Sequence, residues 1–306
     1  MFNFVIIIIT MKNFKYFFTF LFLVVFIYGF NVVKNVPKDF PQNETFLIEE
    51  NESLKSVSVR LEQKHIITSA LWFRVFVSFE GKDRNMQIGF YKFNEPITLG
   101  AVAKRIFQSG PDQPLIKVTI PEGNTNEDIA KKINEALPNI SARSFLAKIS
   151  EMNVYGKLFP ETYFLLPSYD ENRIINKMNE LFDKKYLENF GNENIPVVLK
   201  NKEDVIILAS IIEGEAKTKE DMQIVSGILQ RRLKEGMRLQ VDVATETYKQ
   251  KGLPSKPVNN PGLNSIYAVF HPTTTNYLYY LTGHDGNMYY SKTFEEHKRN
   301  IQKYLR

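Results

Sequence analysis

The sequence of 306 residues holds no cysteine. Disulfides, thiolate nucleophiles and cysteine-based zinc sites are therefore excluded, and any exported domain must rest on its apolar core alone. Histidine is scarce as well. His65, His271, His284 and His297 stand far apart and form no HExxH-type pair, so neither a metal nor another cofactor is expected. Basic residues outnumber acidic ones by 39 to 34, but they are spread along the chain rather than gathered in a stripe. The resulting pI of about 9.0 suits an acidic polymer or surface, and nothing in the pattern favours nucleic acid.

One long apolar run is present. Residues Phe14 to Val33 carry a single charge, Lys15, and are long enough to cross a bilayer core. Lys12 and Lys15 precede the run, which favours a cytoplasmic N-terminus. No small-x-small cleavage site follows, so a retained single-pass anchor is expected over a signal peptide. The shorter run Phe4–Ile9 lies upstream of Met11, where a chain would start with the more usual basic lead-in.

Beyond a linker with Pro37 and Pro41, an extended stretch leading to a capped amphipathic helix is predicted three times. Ser53, Thr98 and Thr125 are the expected caps, the last with Asp128 placed for a capping box. These units predict a small α+β module. The stretch Leu158–Ser168 is aromatic and punctuated by prolines, which predicts a linker rather than a regular element. A helix over Ile174–Phe190 follows, and Gly191–Pro196 reads as a boundary.

The chemistry concentrates in the segment EDVIILASIIEGEA. Val205, Leu208, Ala209, Ile212 and Ala216 share one helical face, while Glu203 and Asp204 suit the helix N-terminus. Glu213 directly follows the apolar run near the C-terminal end. A carboxyl so placed is favoured in its protonated form, as a general acid requires. Taken by periodicity alone, Glu213 and Glu215 are equally readable as solvated residues at a helix end. A helix over Lys219–Lys234 ending at Gly236 follows, then Gln240 and Asp242, whose side chains point the same way in an extended segment. They suit a sugar or the polar face of an ordinary strand. The closing segment predicts a hairpin, Tyr277–Leu281 and Met288–Tyr290, and a helix capped by Ser291 or Thr293.

With these pieces in order, the chain resembles the endolytic murein transglycosylases of the YceG-like family. The matching strings include VTIPEGNTNEDIAKKI, LFPETYFLLPS, ILASIIEGEA, GILQRRLKEGMRLQVD, GLPSKPVNNPGL and YYSKTFEEHKRN. The resemblance implies a transmembrane helix within residues 1–35, a LysM-like α+β module over 36–155, and an α+β catalytic domain over 156–306. It implies a lyase outside the bacterial cytoplasmic membrane that cuts peptidoglycan glycan strands, with peptidoglycan synthases as neighbours. Glu213 matches the family's catalytic glutamate. Glu215, Gln240, Asp242, Asn260 and Ser291 match positions expected to line the glycan groove. The sequence departs from the family pattern after Asp242, where Val243 and Ala244 replace Pro-Thr and a short stretch reaches Gly252. That implies a more open groove. A non-catalytic glycan-binding scaffold is the alternative.

Overall fold

In the computed structural model, residues 19–41, 43–49, 52–81 and 86–305 are described. The chain divides into two compact units, Met1–Ile116 and Lys117–Arg306. The boundary expected near residue 155 falls inside the second unit. The third strand-turn-helix segment contributes its strand and helix to that second body. The turn-rich stretch at 191–196, read from sequence as a boundary, also lies within it.

The first unit opens with helix α1, residues 19–34. The expected anchor starts at Phe14, and its first residues lie outside the described ones. Among the described residues no helix is long and apolar enough to cross a membrane. Strands β1 (Glu44–Ile48), β2 (Gly89–Phe93) and β3 (Gln113–Pro114) form an antiparallel sheet in that order. Helices α2 (Leu54–Gln63), α3 (Ala70–Phe79) and α4 (Leu99–Lys104) accompany it, and α4 runs into a π-helical turn, Arg105–Ser109. The strands alternate, so Phe46, Ile48, Tyr91 and Phe93 enter a core with Leu61, Phe73, Val102 and Ile106. Ser53, Ser69 and Thr98 cap α2, α3 and α4 through their hydroxyls. The opposite face of α3 stays open: Leu71, Val75 and Phe79 are exposed. Beside them Trp72 packs on α1, against Tyr28 and so closely over Gly29 that any Cβ there would collide with its ring.

The second unit begins with β4 (Ile116–Thr119), which pairs with β5 (Thr162–Leu165). The segment expected as a linker thus holds a four-residue strand. Pro160 and Pro167 lie outside it, and in a two-stranded sheet each strand is an edge, where neighbouring prolines do no harm. Helices α5 (Asn126–Ala136) and α6 (Ala142–Met152) pack on each other. The capping box of Thr125 and Asp128 is formed at the start of α5. Helix α7 (Glu171–Phe190) is capped by Asp170.

Three helices make the centre of this unit: α8 (Lys202–Glu215), α9 (Lys219–Lys234) and α10 (Leu263–Phe270), each packed on the other two. Helix α8 was expected to bury one face. It is instead buried all round from Val205 to Ile212, because α9, α10 and the chain at 257–258 enclose it. Even Ser210 is inside, donating to the Ile207 carbonyl and accepting from Val258 N–H at 3.0 Å. Strands β6 (Tyr279–Thr282) and β7 (Met288–Ser291) form the expected hairpin, and Thr293, not Ser291, caps α11 (Phe294–Tyr304).

One side chain ties distant parts of the unit together. Asn260 is fully buried. Its Oδ1 accepts from Leu158 N–H at 2.9 Å, and its Nδ2 donates to the Asn124 carbonyl and to Asn126 Oδ1. Its backbone N–H donates to Asn124 O at 3.0 Å and its carbonyl accepts from Gly123 N–H at 3.1 Å. Three loops far apart in sequence, at 123–126, at 158 and at 259–262, are thereby fixed to one another.

Two stability outcomes follow. Asn260→Ala leaves Leu158 N–H buried without its acceptor, and it is expected to cost about 3 kcal/mol in denaturant unfolding. Gly227→Ala puts a methyl 2.1 Å from the Thr273 carbonyl oxygen, so α9 must shift; a loss of about 2 kcal/mol is expected in the same measurement.

Candidate active site

Two features place Glu213. Helix α8 is rigid because it is enclosed, and Glu213 is the residue immediately after its last fully buried turn. The carboxylate is then held by the N-terminus of α10: Gly262 N–H donates to Glu213 Oε2 at 2.9 Å. Gly262 caps α10 through its backbone, with no side-chain cap, and its free N–H suits an anion.

The neighbours of this carboxylate are short. Gly123 faces it, where a Cβ would come 3.5 Å from Glu213 Cγ. Glu122 lies on the other side of Gly262: a Cβ on that glycine would sit 1.9 Å from Glu122 Oε1. Glu122 is exposed along its length, but its carboxyl end turns in towards Gly262. Burial of that end, and then the charge of Glu213, push its proton affinity above the ordinary carboxylate value. Sequence reasoning missed Glu122. In isolation Pro121-Glu122-Gly123 reads as a turn before the Thr125 cap, and nothing local says that it meets a helix end some 90 residues on.

Glu215 goes the other way. Residues two apart on a helix point about 200° apart, so Glu215 leaves α8 on the side opposite Glu213. Its Oε1 accepts from Asp242 N–H at 3.1 Å and, more weakly, from Val243 N–H at 3.5 Å. The turn at 242–243 crosses the helix end over Gly214, where a Cβ would meet Val243 Cγ1 at 2.7 Å. Gly214 is thus required by close approach rather than by an unusual backbone angle.

Glu215, Gln240 and Asp242 line one open cavity of about 470 Å³ with Arg232, Tyr248, Tyr279, Tyr280 and His297. Gln240 reaches it from a left-handed backbone conformation, φ 51°. Asp242 accepts from Tyr248 OH at 2.6 Å, so the shortened loop folds back through a one-turn helix and steadies it. Arg232 is buried and spends two donors on the Leu239 and Leu278 carbonyls. Burial pushes Glu215 above the usual carboxylate range, opposed by the two backbone donors and by Tyr280. The Tyr280 hydroxyl lies near enough to favour the charged carboxylate, yet it completes no hydrogen bond of ordinary geometry.

The other two sequence-derived candidates are inside the protein. Asn260 is committed to the network described above. Ser291 is buried on β7 and accepts from Asn300 Nδ2 at 2.9 Å, tying the hairpin to α11. Neither side chain reaches the cavity.

Among the described residues, five buried side-chain polar atoms lack a partner: Asn124 Oδ1, Asn179 Oδ1, Asn259 Oδ1, Tyr280 OH and His297 Nδ1. All but Asn179 belong to the loops around Glu213 or to the cavity of Glu215. Unpaired buried groups are rare and costly, and two of these flank Glu213 while two line the cavity of Glu215. No group of histidine, aspartate and glutamate suited to a metal occurs among the described residues.

An endolytic murein transglycosylase from Bacillus subtilis is 26% identical over 92% of this chain and 90% of its own length. Its counterpart in Streptococcus pneumoniae is 23% identical over 84% of this chain and 58% of its own length. The crystal structure of a putative YceG-like protein from Listeria monocytogenes shares the fold, with a TM-score of 0.51 and 24% identity over 84% of this chain and 99% of that one. The pattern of the YceG-like family matches residues 46–246 and 244–303, nearly the whole described chain, and the protein belongs to that family.

Proposed function

We propose that this protein is an endolytic murein transglycosylase, a lyase that cuts peptidoglycan glycan strands internally and ends their growth. The observation that carries the reading is the setting of Glu213: one carboxyl, fixed at the end of an enclosed helix by the Gly262 N–H, beside loops with unpaired polar atoms. In this reaction Glu213 gives its proton to the glycosidic oxygen between N-acetylmuramic acid and N-acetylglucosamine. The muramic 6-hydroxyl oxygen bonds to C1 as the bond to the leaving oxygen breaks, and Glu213 takes the hydroxyl proton. The product is a 1,6-anhydro end, no water is consumed, and the acid is restored. A hydrolase pairs two carboxylates across the sugar; here the nucleophile belongs to the substrate.

Glu215, Gln240 and Asp242 are proposed to bind the strand along the 470 Å³ cavity, which Tyr248 and Tyr279 also line. Asn260 and Ser291 contribute by holding the loops, since their side chains are used within the protein.

A single-pass anchor that holds the catalytic domain on the outer side of the cytoplasmic membrane completes the reading. It is supported by the apolar run from Phe14 to Val33, and by the exposed Phe20, Phe22 and Phe26 of α1. The open stripe Leu71, Val75 and Phe79 adjoins the end of α1 through Trp72, which suits contact with the lipid surface.

Incubation with purified peptidoglycan, followed by mass spectrometry, tests the activity. Wild type is expected to release anhydro-ended fragments, and Glu213→Gln, which keeps an acceptor for Gly262 N–H, to be slower by about 10³-fold. Fragments with reducing ends would point to a hydrolase; strand binding without cleavage would leave a scaffold. The anchor is read by Trp72, the sole tryptophan. In vesicles its fluorescence is expected to be quenched by brominated lipid, whereas quenching only by aqueous iodide would argue against the membrane contact.

A further inference from the structure

Two carboxyl groups, not one, bracket Gly262. Its N–H donates to Glu213 Oε2 at 2.9 Å, and the place where its Cβ would stand is filled by Glu122 Oε1. The two side chains come from parts of the unit far apart in sequence. Glu122 sits in the loop between β4 and α5, and Glu213 ends α8. The loops that carry Glu122 and Gly262 are joined by hydrogen bonds between Gly123, Asn124 and Asn260, so the approach is fixed by backbone rather than by two flexible side chains.

Among the described residues no cation acts appreciably on Glu122. Glu213 is the one charged group that acts appreciably on Glu122. From the 257–263 loop comes no ionisable side chain, and Lys256, just before it, is turned over the Tyr155 ring at 3.9 Å. On α5, Asp128 is engaged by its Thr125 cap, and Glu127 faces towards Tyr155. On α8, Glu215 points to the far side. Like charges held against one another keep a proton more readily than either would alone.

We propose that Glu122 and Glu213 form a carboxyl pair sharing one proton, and that Glu122 is a positioning residue acting through Glu213. Its catalytic meaning rests on the transglycosylase reading; the pairing itself does not. In a reaction that starts with a proton on the glycosidic oxygen, a lone carboxyl has mostly lost that proton at neutral pH. With Glu122 alongside, losing the last proton would leave two adjacent negative charges, so the pair keeps it to higher pH. Burial of the Glu122 carboxyl works in the same direction.

The test has two arms on the full-length protein in detergent. In the first, the protein carries ¹³C-carboxyl glutamate and is titrated by NMR, with Glu122 assigned by the signal that disappears in Glu122→Gln. In Glu213→Gln, removal of the neighbouring charge is expected to lower the Glu122 midpoint by about one pH unit, the coupling at which two sites titrate as a pair. An unmoved midpoint overturns the pairing. In the second, the rate of strand cleavage is followed against pH. The alkaline fall of kcat is expected to move about one unit towards acid in Glu122→Gln, a loss of about tenfold on the alkaline side and little on the acid side. A loss of equal size at every pH would mean that Glu122 only packs against Gly262, and would overturn its role. If wild type releases no anhydro-ended fragments, the proposed activity fails, and the titration alone decides whether the pair exists.

Discussion

The buried amide of Asn260 is the constraint on which the candidate site depends. It satisfies a backbone donor at Leu158, a backbone acceptor at Asn124 and a side chain at Asn126, while its own peptide group closes two further bonds to the 123–124 turn. A buried amide satisfied on all sides contributes geometry as much as stability, because each bond fails if any of the three loops moves. Two residues later comes Gly262, and two residues before Asn124 comes Glu122. The network therefore sets the distance between the donor that holds Glu213 and the carboxyl that crowds it.

Helix α8 supplies the other half of the geometry. A helix buried on every side is an unusual platform for two acidic residues, and α8 resolves this by ending where they begin. Ile212 is fully buried, Glu213 and Glu215 are half-buried, and Gly214 lets the 242–243 turn lie across the end. Helical spacing sends the two glutamates to opposite sides, where they meet different surroundings. Glu213 receives one backbone donor from a helix N-terminus. Glu215 receives two from a tight turn and shares its cavity with Arg232 and three tyrosines. Two neighbouring glutamates thus meet separate surroundings without any change in residue type.

Local rules carried the sequence a long way. The caps at Ser53, Thr98 and Thr125, the extent of α9 and the terminal hairpin follow from hydroxyls, glycines and periodicities that act within a few residues. The tertiary surroundings were not legible. Asn260 looks like a turn residue available to a sugar, and only the fold reveals that every polar atom of its side chain is taken. Ser291 looks like a cap and is a buried tie to Asn300. Strand β5 hides between prolines because four residues suffice for a pairing that its flanks would forbid over a longer stretch. Arg232 reads as the basic last turn of a helix, yet it is buried beneath the cavity and bridges Leu239 and Leu278. In each case the deciding partner lies far away in sequence, where neither spacing nor composition can point to it.

Glu122 is the clearest instance, and it bears on how the proposed single-acid mechanism would be arranged. Cleavage by the substrate's own hydroxyl frees the enzyme from supplying a second carboxylate across the sugar. It leaves a different difficulty: the same group must be protonated at the start, ionised midway and protonated again at the end. A carboxyl surrounded only by apolar residues meets the first demand and resists the second. One surrounded only by donors does the reverse. At Glu213 the Gly262 N–H donates to the carboxylate, and the Glu122 carboxyl stands against the same glycine. The loops that carry the donor and Glu122 are joined to each other through Gly123, Asn124 and Asn260, so their backbones are held at fixed places.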